Sequence, residues 1–94
     1  RLGVTAVTDS NDQLLGIITD GDLRRMLRKN TGFDKNLQAA DIMTANPKTI
    51  RPDALAVEAL DLLRKHEITQ LAVVEEGRYL GMIHLHDLIR EGLL

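Results

Sequence analysis

An α+β fold, two pseudo-symmetric units each built of a short β-sheet and helices, is what this 94-residue sequence predicts, on three observations. The segment from Ala6-Val7-Thr8-Asp9 through Leu15-Gly16-Ile17-Ile18-Thr19-Asp20-Gly21-Asp22-Leu23-Arg24-Arg25 returns as Ala72-Val73-Val74-Glu75 through Leu80-Gly81-Met82-Ile83-His84-Leu85-His86-Asp87-Leu88-Ile89-Arg90. The offset is 65 from the glycine onward and 66 before it, so the length change is confined to a turn. Loops absorb insertions and strands do not, as two copies of one structural unit require. Each copy also has the pattern of a hairpin followed by a helix. Two such copies predict units packed face to face around a pseudo-twofold axis, with two equivalent clefts and function at the interface between copies.

The elements follow in order. Val4 to Thr8 reads as a strand, and Asp9-Ser10-Asn11-Asp12 as a turn whose side chains bond nearby backbone. Leu14 to Thr19 is a largely apolar strand, expected to be buried on both faces. A helix starts at Asp20 or Asp22. Leu23, Met26 and Leu27 give it an apolar stripe, and Arg24, Arg25, Arg28 and Lys29 gather toward its C-terminal half, where cations suit the dipole. Asn30-Thr31-Gly32 ends it. Residues 33 to 40 form a connector between a first unit, 1–32, and a second, 41–94.

Ala39 to Met43 is a short helical turn, closed by Thr44-Ala45-Asn46-Pro47, and Lys48-Thr49-Ile50 is extended. Pro52 sets the approach to a helix for which Asp53 is the expected N-cap. Ala56, Ala59, Leu60 and Leu63 line one face of that helix, which ends at Lys65 or His66. A second hairpin pairs Gln70–Val74 with Tyr79–His84 across Glu76-Gly77. A last helix runs from about His86 to Glu91, and Gly92 ends it. The second unit thus has a strand and a helix that the first lacks. Their counterparts are expected before Arg1, so the first unit reads as N-terminally truncated and the chain as part of something longer.

Composition narrows the function. A chain of this size buries roughly two-thirds of its unfolded surface, enough for one modest core. The net charge of −2 gives no basic face for nucleic acid, and Phe33 and Tyr79 are the only aromatic residues, too few for base-stacking platforms. There is no cysteine, which excludes disulfides, thiolate catalysis and cysteine-based zinc sites. No apolar run approaches the roughly 20 residues of a membrane span, and no signal peptide opens the chain. The expectation is a soluble, cytoplasmic domain. No serine or cysteine pairs with a histidine in a recognisable nucleophile motif, so no catalytic residue is assigned.

The segment most suited to binding is Gly16-Ile17-Ile18-Thr19-Asp20-Gly21-Asp22. A strand ends at a hydroxyl, and three residues later an aspartate stands at a helix start, where free N–H groups attract phosphate. Thr19 suits a phosphate oxygen, Asp22 two sugar hydroxyls, and Gly21 a close approach to the backbone. A purely structural role is the alternative: Thr19 or Asp20 caps the helix and Gly21 serves the turn. In the second copy His84 replaces the threonine and Asp87 repeats the aspartate. His84 and His86, alternate residues of an extended segment, share a face. Zinc needs three or four ligands, and only Asp87 or His66 would add one, so no metal site is assigned.

Gly-x-hydrophobic-Thr-x-x-Asp, repeated after a Val-Val-type strand, resembles the CBS domain. Asp41-Ile42-Met43-Thr44 to Pro47, followed by Ile50-Arg51-Pro52-Asp53 and Glu58-Ala59-Leu60, resembles the opening of a second CBS unit. The stretches Thr19-Asp20-Gly21-Asp22-Leu23-Arg24-Arg25 and His84-Leu85-His86-Asp87-Leu88 are similar to the C-terminal CBS pair of arabinose-5-phosphate isomerases, whose N-terminal sugar isomerase domain carries the catalysis. The resemblance covers the whole chain. It implies a regulatory module that binds a nucleotide between its units. Thr19 would face phosphate and Asp22 ribose, with Asp87 matching the second aspartate. The backbone near Ile50 and the Gln70-Leu71 strand would flank the base. His84 departs from the Thr or Ser of the pattern, which makes the second cleft different in ligand, pH dependence or occupancy. The implied effector is AMP, ATP or a nucleotide-sugar such as CMP-octulosonate. The implied partners are the isomerase domain and a second copy of the pair. A structural dimerisation scaffold with no ligand is the competing function.

Overall fold

The computed structural model describes residues 3–29 and 36–92. Two compact units divide at Pro47 and Lys48. The helix end expected at Asn30-Thr31-Gly32, and Phe33, lie outside the described residues.

In the first unit, β1 (Val4–Thr8) and β2 (Leu14–Thr19) form an antiparallel hairpin. In its turn the Asp9 carboxylate accepts from the N–H groups of Asn11 (2.8 Å) and Gln13 (3.0 Å), which is how a short acidic side chain stabilises a reversal. Helix α1 (Asp20–Lys29) follows β2 without a break. Helix α2 (Ala39–Ile42) and strand β3 (Thr44–Ala45) then return, and β3 pairs antiparallel with β2, Gly16 opposite Ala45. Residues 39–47, which the sequence assigns to the connector and the second unit, pack with the unit that precedes them. The signal is weak because a two-residue strand has no periodicity of its own.

The second unit carries the apolar core. Strand β4 (Thr49–Ile50) pairs parallel with β5 (Gln70–Glu75), which pairs antiparallel with β6 (Arg78–His84). The turn residues Glu76 and Gly77 both have positive φ, the conformation that matches a two-residue turn to strand twist. Helix α3 (Ala56–His66) and helix α4 (Leu85–Arg90) complete the unit. Ile50, Ala59, Leu60, Leu63, Leu71 and Leu88 form one buried cluster drawn from β4, α3, β5 and α4.

The duplication extends to an irregularity of the ladder. The register slips between Val7 and Thr8 in the first hairpin and between Val73 and Val74 in the second. In each case the unpaired residue opposite the slip is a leucine, Leu15 or Leu80, and both are exposed. A β-bulge of this kind re-aims one side chain outward, so Leu15 does not share the burial expected of its strand.

Three further expectations are corrected. The stripe of Leu23, Met26 and Leu27 is not a core face: the leucines are exposed, Met26 is half-buried, and the buried residue of α1 is Asp22. Asp53 does not cap α3. It pairs with Arg51 (3.0 Å), while Leu55 occupies the N-cap and donates its N–H to Glu58 (3.2 Å). Within α3, Ala59, Leu60 and Leu63 are buried but Ala56 is exposed. Among the described residues no helix is long and apolar enough to cross a membrane.

Candidate functional site

The strand-to-helix turns carry Thr19 to Asp22 in the first unit and His84 to Asp87 in the second. In the first unit, β2 delivers Thr19 to the start of α1 and the helix turn brings Asp22 back over it. Thr19 and Asp22 bond each other reciprocally. The Asp22 N–H donates to Thr19 Oγ1 (3.2 Å), while Asp22 Oδ2 accepts from the Thr19 N–H (2.8 Å) and hydroxyl (3.2 Å). Asp22 Oδ1 accepts from the Thr44 hydroxyl of β3 (2.9 Å) and from the Arg25 guanidinium. Burial pushes the Asp22 carboxyl up. The Thr19 N–H, the Thr44 and Thr19 hydroxyls and the Arg25 charge outweigh it and hold the group below its ordinary value.

Asp20 accepts from the Gly3 N–H (3.3 Å). Gly21 has room for a side chain, since a Cβ there would meet Thr19 Oγ1 at 3.5 Å and Arg25 at 3.6 Å. The chain itself therefore does not need glycine at 21. Beside Asp22 opens a pocket of about 260 Å³ within the first unit, with Met26, Leu37, Ile42 and Met43 as its apolar lining and Arg25 and Lys29 as its cations. That is below the roughly 300 Å³ at which small-molecule sites usually begin.

In the second unit β6 delivers His84 to the start of α4. His84 is the N-cap residue, its Nδ1 accepting from the His86 N–H (3.2 Å). A neutral imidazole bonded so carries its proton on Nε2, and that atom is buried with no partner among the described residues. Asp87 bonds Arg90 (2.9 Å). His86 is exposed. Gln70 lies opposite His84 in the sheet and accepts from the Thr69 hydroxyl (2.6 Å). The Ile50 and Leu71 side chains are buried in the core, so only backbone at those positions is left for a ligand. Among the described residues no group of three metal-ligating side chains is gathered.

Three contributors were missed by sequence reasoning. Thr44 bonds Asp22 across 22 residues, a long-range contact with no local signal. Arg25 and Arg90 each pair with the motif aspartate three residues earlier. Their recurrence at the repeat offset was the available clue.

Comparison with known proteins places these turns in a family. The CBS domain model matches residues 1–29 and 39–93. The chain is 44% identical over 95 residues to arabinose 5-phosphate isomerase KdsD of Escherichia coli K12, covering 100% of this chain and 28% of that protein. It is 46% identical over 90 residues to the KdsD of Francisella tularensis, covering 95% and 27%. The chain thus spans well under a third of these relatives. Among solved structures, the fold matches a putative acetoin utilization protein, AcuB, of Vibrio cholerae (TM-score 0.83, 24% identity, 96% of this chain and 67% of that one). It also matches CBSX2 in complex with AMP (TM-score 0.79, 26% identity, 96% and 70%). A third match is the CBS domain pair of MJ0100 in complex with 5-methylthioadenosine and S-adenosyl-L-methionine (TM-score 0.80, 26% identity, 94% and 68%).

Proposed function

The chain belongs to the CBS domain family, and on that premise we propose that it is the nucleotide-sensing regulatory part of an arabinose-5-phosphate isomerase. The observation that carries this is the 44% identity over the full chain to an arabinose 5-phosphate isomerase. Solved relatives described with AMP and with S-adenosyl-L-methionine support an adenosine-type or other nucleotide ligand. The parent enzyme interconverts ribulose 5-phosphate and arabinose 5-phosphate in the cytoplasm, at the head of octulosonate synthesis. This segment supplies no catalytic group. The ligand is a nucleotide or nucleotide-sugar, AMP, ATP or CMP-octulosonate, and its candidate contacts are the strand-to-helix turns, Thr19–Asp22 in the first unit and His84–Asp87 in the second, with Ile50 and Gln70-Leu71 at the base. CMP-octulosonate would give feedback from the pathway's product.

Regulation requires differential affinity. A ligand shifts the isomerase only by as much as it prefers one docked state of the module over another. The test is the isomerase rate of the full-length protein and of the protein lacking these 94 residues, each with and without nucleotide. A nucleotide response in the first and none in the second is expected. No response in either would remove the regulatory role.

The competing function is a scaffold that joins isomerase subunits and binds nothing. The saturation of Asp22 by four donors within its own unit favours it.

A further inference from the structure

Helix α1 carries charge that its own unit does not use. Arg24 and Arg28 stand one turn apart on it, both exposed, and the exposed Leu27 lies on the same face. Among the described residues neither guanidinium has a hydrogen-bond or ion-pair partner, whereas Arg25 is taken by Asp22. Like charges four residues apart destabilise a helix. The helix dipole accounts for Arg28, in the last turn, but not for Arg24 in the middle of the helix. Neither residue lines the pocket beside Asp22.

The repeat shows that the fold does not require these cations. At the offset of 65, Ile89 stands for Arg24 and Leu93 for Arg28. Ile89 is 47% exposed in the unit that has its own preceding strand and helix, β4 and α3. Those elements leave this face of the helix open. In the first unit, with α2 and β3 in place, Arg24 and Arg28 are exposed as well. The cations are therefore an addition to one copy of the motif, on a face that neither kind of neighbour covers.

Charge of the opposite sign stands on the second unit. The turn between β5 and β6 presents Glu75 and Glu76, both exposed, and among the described residues no donor reaches either carboxylate. Arg51, the cation on which their charge acts, is engaged by Asp53 (3.0 Å). The turn is stiff. Glu75 pairs with Arg78 on the last rung of the ladder, and Glu76 and Gly77 hold the positive φ of a two-residue turn. A charged knob already fixed in shape loses little freedom on docking.

We propose that the Arg24–Arg28 face of α1 in one copy of the chain docks on the Glu75–Glu76 turn of a second copy. In a twofold pair the reciprocal contact forms as well. Guanidinium groups match carboxylates in paired geometry, and the docked turn covers Leu27. The contact weakens with salt, because its charges are exposed. It holds or fails independently of the nucleotide function.

The test uses the full-length protein carrying Arg28→Cys and Glu76→Cys together, since cross-linking reads this contact whatever else holds subunits together. Mild oxidation at about 50 mM salt is expected to give a covalent dimer, and at about 500 mM salt about fivefold less of it or lower still. Neither single substitution gives the dimer. Arg24→Glu added to the pair is expected to lower the yield by about fivefold or more, and Glu75→Arg added to that to restore it to within about twofold. No covalent dimer at low salt would overturn the proposal. So would a yield indifferent to Arg24→Glu, a yield not restored by Glu75→Arg, or a dimer formed by Arg28→Cys alone, which would set α1 against α1.

Discussion

Leu71→Ala is expected to destabilise the second unit by about 2–5 kcal/mol, the range for truncating a fully buried leucine. Leu71 is 0% exposed and, with Leu63, is one of the two largest fully buried side chains. It lies on the central strand β5, between β4 and β6, and belongs to the cluster formed with Ile50, Ala59, Leu60, Leu63 and Leu88. Truncation removes apolar contact within that cluster and leaves a cavity. Leu80→Ala is the control. Leu80 sits at the bulge and is exposed, so its loss should stay within about 0.5 kcal/mol. Urea unfolding midpoints compare the two directly, and equal midpoints would show that the core has been placed on the wrong strand.

The repeat supplies the second prediction, because equivalent glycines meet unequal surroundings. A Cβ on Gly16 would lie 2.6 Å from Met43 Sδ and 2.6 Å from the Thr44 carbonyl oxygen. The methionine can swing away. The carbonyl belongs to β3, which pairs with β2 at this point, and it moves only if that pairing opens. Gly16→Ala is therefore expected to cost about 1–3 kcal/mol, as overpacking does, and to expose the Thr44 and Ala45 amides to exchange. Gly81→Ala meets nothing and should change stability by less than about 0.5 kcal/mol. A Gly16→Ala variant as stable as the wild type, with β3 still protected, would mean that β3 does not approach β2 as closely as the structure has it.

The internal repeat made the two hairpins and their following helices legible, because strands and helices of a duplicated unit share one pattern and differ only at a turn. The paired motif aspartates were legible for the same reason. What escaped was long-range. The sequence cannot show that Thr44 reaches Asp22, because the two are brought together only when β3 pairs with β2. Nor could helix periodicity show that α1 buries its aspartate and exposes Leu23 and Leu27. The stripe rule assumes that apolar residues face the core, whereas here hydrogen bonds with Thr19 and Thr44 draw a charged side chain inward. The cap of α3 went to Leu55 because Glu58 supplies the acceptor for its N–H, while Asp53 is engaged by Arg51.

The most direct test of a nucleotide-sensing module is calorimetric titration of the full-length protein with AMP, ATP, CMP and CMP-octulosonate. Saturable binding of at least one of them, absent from the protein lacking these 94 residues, is the predicted result. No binding of any of the four by a folded, assembled protein would contradict it and leave the segment a structural scaffold.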